Sequence, residues 1–196
     1  TPSATAKSHN SGFPAVASIY RNEGNGSFTN IHAGLIGVDF ASAEWGDYDG
    51  DGDLDLFVAG RDSTSNIRNS LYRNEGRGAF TEIDPGLDGV AIDDMQWGDY
   101  DSDGDLDLVV IGNEDGTSST AKIYRNDGGG TFTDIGAGLV GVADGSVDWG
   151  DYDGNGALDL VLTGQDPNGK PISIIYRNEG GDTFAAIRTG LTDVIG

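Results

Sequence analysis

The chain has 196 residues, of which 33 are acidic, 11 basic and 33 glycine, for a formal net charge of −22. A charge this negative argues against nucleic-acid binding, which needs Lys and Arg to displace phosphate counterions, and against docking on anionic membranes. With no cysteine there is no disulfide framework, thiolate metal site or Cys nucleophile, while an apolar fraction of 36 % is enough to build a core.

Residues 1–14 open with TPSATAKSHNSGF, which holds neither an apolar signal-peptide core nor an Arg-rich amphipathic pattern. The chain does not begin with Met and reads as a processed or excised piece. Residues 1–14 are expected to be irregular, or a poor strand at best. The longest apolar stretch, residues 106–111 (LDLVVI), is far too short to span a bilayer.

From residue 15 onward one unit recurs. Tyr20, Tyr72, Tyr124 and Tyr176 are 52 residues apart, and Phe28, Phe80, Phe132 and Phe184 keep the same spacing. So do Trp45, Trp97 and Trp149, and the Gly-Leu pairs that begin at Gly34, Gly86, Gly138 and Gly190. The unit is WGDYDxxGxLDL, a variable stretch, YRN(E/D)G, a Phe and then GL. Its back half occurs four times and its front half three times. Residues 54–60 (LDLFVAG), 106–112 (LDLVVIG) and 158–164 (LDLVLTG) are short, apolar and end in glycine, which predicts strands. Residues 70–74 and 79–83 flank a Gly-rich turn and predict a hairpin. A further strand should precede each loop and end at the Trp-Gly pair. Four strands in about 50 residues is the signature of a propeller blade. An open β-sandwich competes, but a fixed period favours radial repetition. The expected fold is therefore all-β: a β-propeller of four-stranded blades with a 52-residue repeat. Residues 15–44 form a partial first blade and link, and 45–96, 97–148 and 149–196 form three complete blades.

The loop after each Trp-Gly carries the chemistry. It offers Asp47, Asp49, Asp51, Asp53 and Asp55 in the first copy and Asp99, Asp101, Asp103, Asp105 and Asp107 in the second. The third offers Asp151, Asp153, Asn155, Ala157 and Asp159. Oxygen ligands at alternate positions of a tight loop converge on one point. Glycine at position six allows the turn, and position seven (Asp53, Asp105, Ala157) needs only its backbone carbonyl, so its side chain is free to vary. Hard oxygens in a flexible loop suit Ca²⁺ better than octahedral Mg²⁺, at about three sites. An EF-hand would place Glu at position twelve before a helix; here Val58, Val110 or Leu162 stands there and a strand follows. Asp-Gly clusters are also good turn formers, but three in register with oxygen side chains kept at the ligand positions exceed that role. The third loop has one carboxylate fewer and should bind most weakly.

WGDYDGDGDLDLFVAG followed by YRNEGRGAF resembles the FG-GAP or VCBS repeats, which build the propellers of integrin α-subunits, of many bacterial secreted proteins and of some lectins. The resemblance covers the chain from about Val16 onward. It implies a Ca²⁺-stapled propeller with the Asp loop between the first two strands of a blade. Asn155 with Ala157, and the incomplete first blade, depart from the pattern. A propeller must close, because an open end leaves an apolar blade face uncovered. Expected partners are therefore further copies of the chain completing a ring, or the rest of a longer propeller.

Trp45, Trp97 and Trp149, with the repeated Tyr and Phe, read as core between blades. Arg21, Arg73, Arg125 and Arg177 should pair with carboxylates and hold blades together. His9 and His32 are unrepeated and read as surface residues. No G-x-S-x-G, H-E-x-x-H or P-loop motif is present. Close pairs such as Asp49 and Asp51 fit glycoside hydrolysis poorly if a cation occupies them. The variable segments 61–69, 113–121 and 165–173, with the links 38–43, 90–96 and 142–148, should share the rim opposite the Asp loops. Candidate ligand contacts there are Arg61, Asn66, Arg68, Asn113, Glu114, Gln165, Asp166 and Asn168. The expected function is a non-catalytic binding or adhesion module outside the cell, for glycan or protein. A polysaccharide lyase or hydrolase domain on the same scaffold, and an architectural or engineered self-assembling repeat, are the alternatives.

Overall fold

The computed structural model describes residues 3–6, 15–87, 89–114 and 118–187; His9 lies outside them. Among the described residues every regular element is a strand. The first sheet comprises β1 (Ser3–Ala6), β2 (Ala17–Asn22) and β3 (Phe28–Asn30). The second is β4 (Asp39–Gly46), β5 (Asp55–Arg61), β6 (Ile67–Asn74) and β7 (Phe80–Ile83). The third is β8 (Val90–Gly98), β9 (Asp107–Glu114), β10 (Ser118–Asn126) and β11 (Phe132–Asp134). The fourth is β12 (Ala143–Gly150), β13 (Asp159–Gln165), β14 (Pro171–Gly180) and β15 (Thr183–Ile187). Each is an antiparallel meander in chain order, the topology of a propeller blade.

Burial on both faces explains the sequence pattern of the second strand in each blade. Leu56 and Val58 pack toward the first sheet, whereas Phe57 and Ala59 pack toward the third. In β9, Leu108 and Val110 face back and Val109 and Ile111 face forward. A strand covered on both faces reads as a continuous apolar run rather than an alternating one. The three resulting cores each lie between successive sheets, and the repeated aromatics line them. Trp45 meets Phe80 with ring centroids 6.3 Å apart, Trp97 meets Phe132 at 5.9 Å and Trp149 meets Phe184 at 6.2 Å. Trp45, Trp97 and Trp149, with Tyr72, Tyr124, Tyr176, Phe80, Phe132 and Phe184, are thus inter-blade core as expected from their register, whereas Tyr20 and Phe28 of the first sheet are exposed.

The segments expected as variable links are not loops along their length. Most of 38–43, 90–96 and 142–148 lies in the innermost strands β4, β8 and β12, and Val38, Val90 and Val142 are buried. Each of these strands carries a bulge, between Asp39 and Ser42, Ile92 and Asp94, and Ala143 and Ser146. The extra bulge residues obscure the period-two signal that marks a strand.

Residues 3–6 do pair as a second strand, but out of step. Leu56 lies opposite Tyr72, Leu108 opposite Tyr124 and Leu160 opposite Tyr176. The equivalent Ala4 lies opposite Ile19, and Ser3 lies opposite Tyr20. A sequence of small residues such as SATA contains no large apolar residue to favour one alignment over the next.

A glycine precedes each Asp loop because the next blade's indole sits on it. A Cβ at Gly46 would lie 2.7 Å from Trp97 Cδ1, and one at Gly98 would lie 2.6 Å from Trp149 Cδ1. At Gly150 it would meet nothing within 4 Å. Gly98→Ala should therefore cost about 1–3 kcal/mol through overpacking, while Gly150→Ala should stay within about 0.5 kcal/mol. Urea unfolding of the two variants reads the difference. Equal losses would show that the indole is not what excludes a side chain there.

Candidate functional site

The Asp loops join the first two strands of each complete blade, at the same rim as the β6–β7, β10–β11 and β14–β15 hairpins. Local backbone geometry builds them. Gly52, Gly104 and Gly156, at position six, have φ of 92°, 99° and 91°. That left-handed region is open to glycine without the steric cost of a Cβ. Position four is left-handed too, and there Ser102 (φ 62°) stands where Gly50 and Gly154 stand in the other loops.

Three carboxylates converge in each loop, from positions one, three and nine: Asp47, Asp49 and Asp55; Asp99, Asp101 and Asp107; Asp151, Asp153 and Asp159. Within each group, one oxygen from every residue lies within 4.8 Å of the others. The position-nine residue is the anchor. Asp107 is fully buried; its Oδ1 accepts from Asn126 N (2.9 Å) and its Oδ2 from Tyr100 N (3.1 Å). Asp55 accepts from Asn74 N (2.7 Å) and Tyr48 N (3.2 Å), and Asp159 from Asn178 N (2.8 Å) and Tyr152 N (3.1 Å). One side chain thus ties the loop to the third strand of its own blade. Burial, reinforced by the neighbouring Asp49 and Asp51, pushes the Asp55 carboxyl up to about 6. Burial with Asp101 and Asp103 pushes Asp107 up to about 7. Asp49 and Asp101 are raised as well, by partial burial and by adjacent carboxylates.

At position five, Asp51 and Asp103 lie outside these groups of three carboxylates. Asp51 Oδ1 accepts from Asp53 N (2.9 Å), Asp103 Oδ1 from Asp105 N (2.9 Å) and Asn155 Oδ1 from Ala157 N (2.7 Å). These side chains cap the turn. The Asp53 and Asp105 side chains are likewise outside the three-carboxylate groups.

The residues fit a cation on one further observation. Asp47 Oδ1 and Asp99 Oδ1 are buried with no hydrogen-bond partner. A buried anionic oxygen without a donor is costly unless something positive faces it. In the third loop the matching oxygen is already engaged: Asp151 Oδ1 accepts from Gly154 N (2.8 Å) and Asn155 N (3.0 Å), and Oδ2 from Gly156 N (2.9 Å).

Sequence reasoning missed how neighbouring blades clamp these loops. Asn126 Nδ2 donates across the blade boundary to the Tyr48 carbonyl (2.7 Å), and Asn178 Nδ2 donates to the Tyr100 carbonyl (2.8 Å). The invariant Asn of each YRN unit was the available signal. The Arg of that unit works more locally than expected. Arg21, Arg73, Arg125 and Arg177 pair with Glu23, Glu75, Asp127 and Glu179, two residues along the same hairpin. Arg125 also reaches Asp182 of the next blade (3.1 Å), which accepts the Tyr100 hydroxyl (2.6 Å) as well.

The opposite rim holds the other candidate residues. Arg61 donates to Ser65 O (3.1 Å), Asn66 to Thr64 (2.8 Å), and Arg68 pairs with Asp62 (2.8 Å). Glu114 pairs with Lys122 (2.5 Å), Asp166 accepts from Asn168 N (2.8 Å), and Gln165 ends β13 in an exposed position. Asn66, Arg68, Gln165, Asp166 and Asn168 stay on their separate turns, whereas Arg61 and Asn113 come together. With Phe40 and Asp93 they line a cleft of about 290 Å³ between the second and third sheets. Phe40 is 69 % exposed and sits on the β4 bulge with φ 50°, an unfavourable conformation for an aromatic residue. His32 is exposed on the surface.

No curated protein matches the chain. The family model for the FG-GAP-like repeat matches it three times, over residues 7–58, 47–110 and 99–162. Each match takes in at least one WGDYD segment and the apolar strand beside it, the elements that carry the carboxylate loops. The chain belongs to the FG-GAP-like repeat family.

Proposed function

We propose that the chain is a calcium-held propeller module that binds a partner, glycan or protein, without catalysing a reaction, and that it works outside the cell. The unpartnered Asp47 and Asp99 oxygens inside the three-carboxylate groups carry the reading. Asp47, Asp49 and Asp55, and their equivalents in the other two loops, would hold the ion, which supplies positive charge to oxygens that otherwise repel one another. A hard, all-oxygen donor set favours Ca²⁺, and millimolar extracellular Ca²⁺ fills loops of modest affinity. The partner's surface is placed at the opposite rim, centred on the Phe40, Arg61, Asp93 and Asn113 cleft. An exposed aromatic held in an unfavourable backbone conformation is the kind of local cost that accompanies binding sites.

Calorimetric titration of the metal-free chain tests the first half. Ca²⁺ should fill the first two loops before the third, where Asp151 is committed to backbone donors, and Mg²⁺ should compete poorly. Ca²⁺ evolving no binding heat at any concentration would end the proposal. A glycan and matrix-protein array probed with the wild-type chain and Phe40→Ala tests the second half. Signals lost in the variant support this rim; signals unchanged by it place recognition elsewhere.

A further inference from the structure

The four sheets form three joints, and the two outermost faces repeat what those joints bury. In the two joints that follow the second and third sheets, the forward face supplies a loop tyrosine and apolar residues of its second and third strands. Tyr48, Phe57 and Leu71 do this in the second sheet, and Tyr100, Val109 and Ile123 in the third; all are buried. The same positions of the fourth sheet are Tyr152, Val161 and Ile175. Tyr152 is 47 % exposed and Val161 37 %, and with Ile175 they line an open groove. On the other side of each joint the backward face supplies the YRN tyrosine and the repeated phenylalanine. Tyr72, Tyr124 and Tyr176 are buried there, with Phe80, Phe132 and Phe184 packed beside them. In the first sheet those positions are Tyr20, 37 % exposed, and Phe28, 55 % exposed.

We propose that the forward face of the fourth sheet docks on the backward face of the first sheet of a second copy of this chain, head to tail. The fit is polar as well as apolar. Within the chain, Asn126 and Asn178 reach the Tyr48 and Tyr100 carbonyls of the preceding blade. The matching pair left at the two ends is Asn22 and the Tyr152 carbonyl, one on each docking face. A second copy supplies the fourth sheet with the repeated Tyr and Phe, and the first sheet with the loop Tyr and apolar strand residues, that the internal joints use. The contact is heterologous, so it either closes into a ring or runs on as an open chain of copies. It lacks several components of the internal joints: among the described residues the three-stranded first sheet brings no innermost strand and no tryptophan, so nothing covers Gly150 as Trp97 covers Gly46, and its second strand is SATA rather than an apolar LDL run. The docking is accordingly weaker than the internal joints and depends on concentration.

Sedimentation velocity in Ca²⁺ over a wide concentration range tests this with the wild-type chain, Val161→Asp and Phe28→Asp. Both substitutions fall at exposed positions, and circular dichroism checks that each variant folds. The wild type should rise from monomer mass to at least twice that mass. Each variant alone should stay monomeric, because either its forward or its backward face is spoiled. An equimolar mixture of the two should recover a species of two chains that grows no further, because each variant keeps the face the other lost. A wild type that stays monomeric overturns the proposal. So does association that persists in either single variant, or a mixture that fails to associate.

Discussion

Chelation of Ca²⁺ at neutral pH is expected to lower the melting temperature by roughly 15–30 °C. The estimate takes about 2.7 kcal/mol for each of three sites held at a hundredfold their dissociation constant, and about 2–4 °C per kcal/mol for a chain of this size. Two independent features point the same way. Without the ion, the three carboxylates of each loop lie close enough to repel. One of each three is also buried, where burial itself penalises charge. The pH dependence separates this cause from a general effect of salt. The Asp55 carboxyl at about 6 and the Asp107 carboxyl at about 7 both lie above the ordinary carboxylate value of about 3.9. A folded-state pKa raised in this way contributes stability that is fully present below about pH 4. That contribution is lost as pH rises through about 6 to 7. The metal-free chain should therefore melt lower at pH 8 than at pH 5. The Ca²⁺-loaded chain should show the opposite trend, because ligands must be deprotonated to bind. Scanning calorimetry from pH 5 to 8, with EDTA and with Ca²⁺, reads both slopes. A melting temperature indifferent to EDTA at pH 7.5 would contradict the role given to the loops. A metal-free chain that gains stability toward pH 8 would contradict the buried-carboxylate account.

Much of this was legible in the sequence because a repeat states its constraints more than once. Trp45, Trp97 and Trp149 fall in one register, which identified them as a packing element, and the structure places each against the Phe of its own blade. The loops were legible for the same reason: Ala157 standing where Asp53 and Asp105 stand marks a side chain that is not needed. What stayed hidden depends on geometry that a period does not encode. The turn-capping bond at position five was not legible in the sequence, where the position reads as a ligand because its residue types are Asp and Asn. Those are also the residues that cap turns, and capping is what Asp51, Asp103 and Asn155 do. The arginines looked like ties between blades; each pairs first with the carboxylate two residues along its own hairpin, and Arg125 also bridges to Asp182 of the next blade. The innermost strands were obscured by their bulges. The partly slipped first sheet could not be foreseen, since SATA offers no large side chain to fix a register.

Asp107→Asn should destabilise the metal-free chain by about 2–4 kcal/mol, whereas Asp101→Asn should leave it within about 0.5 kcal/mol. Both residues belong to the same group of three carboxylates, so a purely metal-binding role would make the two substitutions equivalent. Their surroundings differ. Asp107 is buried and spends both oxygens on backbone donors, Asn126 N at 2.9 Å and Tyr100 N at 3.1 Å. An amide of the same shape keeps one acceptor and turns an NH₂ toward the other donor, leaving a buried N–H without a partner and a second donor facing it. Asp101 is exposed and accepts from Asp103 N through a single oxygen (3.2 Å), a bond the Asn side-chain carbonyl can still make. Removing its charge also relieves repulsion with Asp99 and Asp103. Urea unfolding in EDTA isolates the structural term, and Ca²⁺ titration of the same two variants isolates the binding term. Asp101→Asn should weaken binding with little change in metal-free stability, and Asp107→Asn should lower both. Equal losses of metal-free stability would mean that Asp107 has no anchoring role beyond that of its neighbours. In that case the second loop would be held mainly by the next blade, through the Asn178 contact at the Tyr100 carbonyl.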